Sequence, residues 1–186
     1  MKGALLFCIF VGASSVFAGS LSISGSSEFV AVGKPSALKI HGQSADGLSG
    51  ILTLNNNIIQ GELEFSVDSL VTGVELRDHH MKEKYLETKT FPKAKLSIDK
   101  LQLASDPQVD GFKTNGLSFT GQLTLHGITR PVTGTIDLNT SSGVTKGEGK
   151  FDLKLSDYKI DVPSYLGITV ADTVSVKVHL EAKKGA

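Results

Sequence analysis

Apolar and polar residues alternate with a period of two through most of this chain. In "IIQGELEFSVDS", Ile59, Gly61, Leu63, Phe65 and Val67 share one side, while Gln60, Glu62, Glu64, Ser66 and Asp68 share the other. Successive side chains of a strand point to opposite faces, so this pattern is that of a half-buried β-strand. It recurs in "GLSFTGQLTLHG", which sets Leu117, Phe119, Leu123 and Leu125 on one face. "VTGTIDL" sets Val132, Ile136 and Leu138 there, "GKFDLKLSD" sets Phe151, Leu153 and Leu155, and "DTVSVKVHLEAK" sets Val174, Val176, Val178 and Leu180. "KAKLSIDKLQL" begins with Ala94, Leu96 and Ile98 inward. Its phase then slips to Leu101 and Leu103, the mark of a bulge near Asp99–Leu101. "SEFVAV", "SALKIHG" and "SGILTLNN" read as three further strands, with "VGKPS", "SADGLSG", "NNN", "DPQVDG", "KTNG" and "NTSSG" as turns. About nine strands with short connections predict an all-β, antiparallel barrel or sandwich, and a barrel removes the exposed edges.

The amino terminus has a different composition. Lys2 precedes the apolar run "ALLFCIFVGASSV", and Val16-Phe17-Ala18 gives small or tolerated residues before Gly19. This predicts a secretory signal peptide over residues 1–18, cleaved between Ala18 and Gly19, with a domain over residues 19–186 in the periplasm or outside the cell. Cys8, the one cysteine, lies in that segment, so the domain folds without disulfides on its core alone. The formal net charge is zero, which offers no basic excess for nucleic acid. No other apolar run is long enough to cross a bilayer as a helix. A membrane-spanning barrel would also alternate, but the chain has no tryptophan and three tyrosines for an aromatic girdle. The domain is therefore not expected to be an integral membrane protein.

One segment breaks the alternation. "RDHHMKEKYLE", Arg77 to Glu87, predicts a short helix over about residues 78–87, with Asp78 as N-cap and Met81 and Tyr85 on one face. Such a helix is too short to stand alone, so it must rest on something apolar, such as a barrel mouth. Pro92 stops it and opens the next strand. His79 and His80 are neighbours in sequence and splay apart on a helix, so they do not chelate one metal as an i, i+4 pair does. His41, His126 and His179 fall on polar strand faces or strand ends and read as solvent-exposed or structurally hydrogen-bonded. No metal site, no cofactor and no nucleophile elbow is expected.

The residues resemble the YceI family of secreted lipid-binding proteins. In "LVTGVELRDHHMKEKYLETKTFPKAKLSI", the residues that fit the family segment are Ser69, Thr72, Gly73, Arg77, Asp78, His80, Met81, Phe91 and Pro92. "GQLTLHGITRPV" fits a second signature through Gly121, Leu123, Thr124, Gly127, Thr129, Arg130, Pro131 and Val132, and "VPSYLGITVADTVSVKV" resembles the closing hairpin. The front of the domain departs from the family pattern, with "SGSSEFVAVGKPSALKIHG" in place of "D-x-x-H-S-x-V-x-F", and a late "R-S-D-F-G" segment is altered to "LKLSDYKIDVP". The resemblance implies a lipocalin-like barrel that holds an isoprenoid lipid, a polyprenyl or quinone-type tail, and no enzyme activity. Inward candidates for lining it are Leu63, Phe65, Val67, Leu96, Ile98, Phe119, Leu123, Leu125, Phe151, Leu153, Val176 and Val178. Arg77 and Asp78 would fix the start of the helix, His80 would hydrogen-bond locally, and Met81 and Tyr85 would pack down onto the mouth.

Two other functions fit the same residues. One is a non-catalytic interaction module with a solidly packed barrel. The other is a lipid-acting enzyme with His80 and Asp78 as acid and base. A homodimer through an exposed edge near the Asp99–Leu101 slip is also possible. Gly61, Gly121, Gly134 and Gly149 fall on apolar faces, where small residues either leave room for a ligand or relieve strand curvature.

Overall fold

The computed structural model describes residues 18–34, 38–165 and 167–184. The signal peptide expected over residues 1–18 lies outside them, apart from the backbone of Ala18. The strands are β1 Ala18–Lys34, β2 Lys39–Asn55, β3 Ile58–Ser66, β4 Lys93–Gln102, β5 Lys113–Leu125, β6 Ile128–Ser141, β7 Val144–Lys154, β8 Ser164–Tyr165 and β9 Ile168–Lys184. Each of β1 to β7 pairs antiparallel with the next, β7 pairs with β9, and β9 returns to β1. These eight strands close a barrel, and β8 is a short hairpin partner at the start of β9. The helix α1, Glu75–His80, lies between β3 and β4 and runs on into a wider π-type turn, Met81–Tyr85.

The alternation sets the polarity of the wall. Leu63, Leu96, Leu123, Phe151 and Val178 are buried inside. The outer face carries ion pairs such as Lys93–Glu64 at 2.5 Å and Lys95–Glu62 at 3.0 Å. A barrel that faces lipid has the opposite arrangement, with an apolar band outside. Three hairpins use two-residue turns with both φ values positive, Asn56–Asn57, His126–Gly127 and Ser142–Gly143. That is the geometry whose twist suits antiparallel strands.

Two details of the expected strand map change. The three early strands are two long ones, and "SADGLSG" is part of β2 and not a turn. Gly25 pairs with Leu48 while Ser27 pairs with Ser44, so the surplus residues of β2 are taken up in a bulge. Gly25 also lets β9 approach closely on the other side, because a Cβ there would lie 2.0 Å from the His179 carbonyl oxygen. Likewise "KTNG" belongs to β5, where a register shift between Thr114 and Leu117 absorbs it. The slip near Asp99 is real, since Ile59 faces Leu101 while Gly61 faces Ile98.

The wall is uneven. β4 and β5 pair only at Lys95–Thr124, Leu96–Leu123 and Ser97–Gln122. Beyond that point the connecting segment carries the buried Leu103 and Pro107.

Candidate ligand cavity and its helical lid

The barrel is hollow. A cavity of ≈ 580 Å³ lies under α1, and a separate one of ≈ 70 Å³ lies deeper. Val67, Leu123, Leu125, Leu153 and Val176 border the upper cavity. Leu63, Leu96, Ile98, Phe119 and Val178 border the lower one, and Phe65 and Phe151 border both. All the inward candidates from the alternation therefore point into the barrel. The pattern missed the contributors near the mouth, including Leu38, Ile40, Ile160, Ile168 and Val170. Leu38 and Ile40 alternate with Lys39 and His41, and Ile168 and Val170 flank Thr169, but these runs are short and stand beside turns. Ile160 follows a four-residue 3₁₀ turn, Leu155–Tyr158, and leaves no period-two signal.

The four glycines on the apolar faces are not equivalent. A Cβ at Gly61, Gly121 or Gly134 would lie 2.5, 2.6 or 2.2 Å from a carbonyl oxygen of the neighbouring strand, so these positions serve close backbone approach. Gly149 differs, since a Cβ there would meet only Val178, at 3.9 Å. Gly149 leaves open space in the lower cavity.

The roof of the upper cavity includes Leu76, Arg77, His80, Met81, Lys84 and Tyr85. None of the residues of α1 or its π turn is buried. Tyr85 is half-buried and packs against the barrel core, and hydrogen-bonded moorings hold the segment at its two ends. Before it, Gln43 and Val71 exchange both backbone hydrogen bonds at 2.9 Å. The Asp78 carboxylate then accepts the Thr72 amide at 2.7 Å and also the Thr72 hydroxyl. Arg77 donates to the Thr72 hydroxyl at 2.7 Å and to its carbonyl at 3.0 Å. After the segment, Thr88 donates to Asp68 at 2.7 Å. Glu87 meets His126 at 2.8 Å, and that ring lies against Phe91 with centroids 4.6 Å apart. The other His126 nitrogen, Nδ1, is 3.1 Å from the Tyr158 carbonyl, which ties the lid to the Leu155–Tyr158 turn.

Two expectations for this motif need correction. Asp78 is not the N-cap. The helix starts earlier, from Val74, whose side chain makes no capping bond, and Asp78 reaches back to Thr72 from within the helix. The residue two places before the N-cap has taken the carboxylate that could otherwise have capped the first turn. His80 is exposed and lines the mouth, and its side chain makes no hydrogen bond to another described residue. Its contact is edge-on to His79, 6.1 Å between centroids.

Electrostatics are strongest on the outside. Lys89, 3.0 Å from Glu83, holds that carboxyl below its usual range through a hydrogen bond, helped by the charge of His79. Glu148 is lowered by its hydrogen bond from Lys150. Burial pushes the Tyr158 hydroxyl up, with the Asp157 charge adding to it. Among the described residues no three His, Cys, Asp or Glu side chains converge as a metal site. His179 is structurally bonded, 3.2 Å from Glu28.

This geometry defines a class, a hollow antiparallel barrel with a lidded apolar cavity. The chain matches the family model of the YceI-like domain over residues 15–182, and it belongs to that family. No curated protein sequence matches it. Among solved structures, a polyisoprenoid binding domain from Saccharophagus degradans implicated in plant cell wall breakdown superposes with a TM-score of 0.67. It has 17% identity over 89% of this chain and 98% of that one. Burkholderia cenocepacia BcnA gives a TM-score of 0.66 at 22% identity, over 84% of this chain and 96% of that one. The Campylobacter jejuni YCEI protein gives 0.57 at 16%, over 79% and 85%. At these identities the likeness is one of fold.

Proposed function

We propose that this protein binds an isoprenoid lipid, with a polyprenyl or quinone-type tail in the barrel and the polar head at the mouth beside His80 and Lys84. The observation that carries this reading is the ≈ 580 Å³ cavity with its apolar wall. It falls in the range of roughly 300–1,000 Å³ common for small-molecule sites. A solidly packed interaction module would leave no such space. Burying a methylene is worth about 0.8 kcal/mol, while association costs about 4–15 kcal/mol, so useful affinity calls for a long tail in a long cavity. The polyisoprenoid binding domain among the structural relatives supports the same ligand class.

The role is carriage, storage or sequestration without catalysis, in the periplasm or outside the cell. The signal-like residues 1–18 support that location. An acid–base pair of Asp78 and His80 is disfavoured, because Asp78 is engaged by Thr72.

The test is native purification, organic extraction and mass spectrometry of the extract. A stoichiometric isoprenoid is the expected result. Folded protein that yields none, and takes up no added polyprenol, would overturn the reading. The lid has its own test in Met81→Asp, which sets a charge on the face towards the cavity. Lipid retention should fall by about tenfold or more in a folded variant.

A further inference from the structure

Phe65 and Phe151 are the two side chains that the upper and lower cavities share. Both are buried, and they stand as a partition across the barrel, with ≈ 580 Å³ above and ≈ 70 Å³ below. The partition is braced. The Phe119 ring meets Phe151 edge-on, centroids 6.3 Å apart and planes at 85°. Gly134 lets Phe119 lie flat on the wall, since a Cβ there would come within 2.7 Å of that ring. The lower space is about half of the roughly 150 Å³ that an engineered apolar cavity needs to hold a benzene. It does not hold a tail segment by itself, yet Gly149 leaves it unfilled.

We propose that Phe65 and Phe151 set the length of tail the barrel accepts. The tail ends against the two rings, and the lower compartment is an extension that opens when a ring is removed. This inference rests on the lipid-binding reading above and adds the residues that determine specificity. Its physical basis is simple. Each isoprene unit gains affinity only while the cavity can bury it. A unit longer than the cavity stays in water at the mouth and contributes nothing.

The experiment measures binding of polyprenols of stepwise increasing length, by competition against one fluorescent polyprenol. Wild-type affinity should rise with length and then level. Phe151→Ala joins the compartments, so the plateau should move to longer tails. The first length beyond the wild-type plateau should bind about tenfold tighter or more than it does to wild type. Adding Gly149→Val to that variant refills the lower space and should move the plateau back. Phe151→Leu, which removes the ring but keeps apolar bulk, serves where Phe151→Ala does not fold, and should shift the plateau in the same direction.

Equal plateaus in wild type and a folded Phe151 variant would overturn the proposal. A shorter plateau in Gly149→Val alone would overturn it too, because the native tail would then already pass the rings. Failure of wild type to bind polyprenol of any length is a different result, and it removes the lipid reading itself.

Discussion

The wall of the barrel and its lid are held together in different ways. Every strand of the wall is hydrogen-bonded on both sides over at least part of its length, and its inner face buries residues such as Leu96 and Leu123 to 3% exposure. The lid, Glu75 to Tyr85, buries no residue fully; half-buried Tyr85 rests on the core, and the hydrogen-bonded moorings lie towards its ends. Few buried contacts and exposed backbone hydrogen bonds mark segments that open at a small fraction of the global unfolding free energy. A lipid cannot enter between the strands of a closed ladder without breaking it. The wall therefore fixes the cavity's shape, and the helix is the less firmly held part of its border.

The largest expected effect breaks the wall. Leu96→Ala removes a side chain buried where β4 meets β5, the shortest pairing in the barrel. It should cost about 2–5 kcal/mol of global stability, read as a lower urea midpoint. The second change acts on the lid. Asp78→Ala leaves the amide and hydroxyl of Thr72 without their acceptor. That should cost about 1–3 kcal/mol of local stability. Hydrogen exchange of the Glu75–Tyr85 amides should speed up by about tenfold per 1.4 kcal/mol, with wall amides much less affected. If wall and lid amides accelerate together, the two parts open as one unit and the comparison fails.

These two changes also separate what the sequence could and could not reveal. Alternation identified the inner face of β3 to β7 and β9, because burial on one side of a sheet writes itself as period two. The slip at Asp99 was legible for the same reason. The bend in β2 was not. "SADGLSG" has turn composition, and only its pairing with β1 on one side and β3 on the other makes it strand. The lid was legible as a helix, but its start was not, because Val74 holds the N-cap position without a capping side chain and Asp78 reaches back to Thr72. The Glu87–His126 mooring joins residues far apart in sequence and leaves no local pattern. Hollowness left no trace either. A filled barrel and an empty one need the same apolar residues, and the difference at Gly149 lies in what its neighbours do not reach.

The smallest expected effect is a pH dependence in the lid's rear mooring. Asp172 on β9 accepts the Ser156 hydroxyl at 2.6 Å and the Ser156 amide at 2.8 Å. The hydroxyl bond first, and the amide bond second, lower its carboxyl below the usual range. Ser156 belongs to the turn whose Tyr158 carbonyl holds His126, and through His126 the end of the lid. A carboxyl with a depressed folded pKa stabilises fully above its unfolded value, about 3.9. That contribution is lost as the pH falls through the lower folded value. Lid exchange at Leu86–Thr88 should therefore rise in wild type as the pH drops below about 4, after correction for intrinsic exchange. Asp172→Asn should show faster exchange already at neutral pH and a shallower rise in acid. Identical acid limbs in the two proteins would detach Asp172 from the lid and leave the Leu155–Tyr158 turn as part of the wall alone.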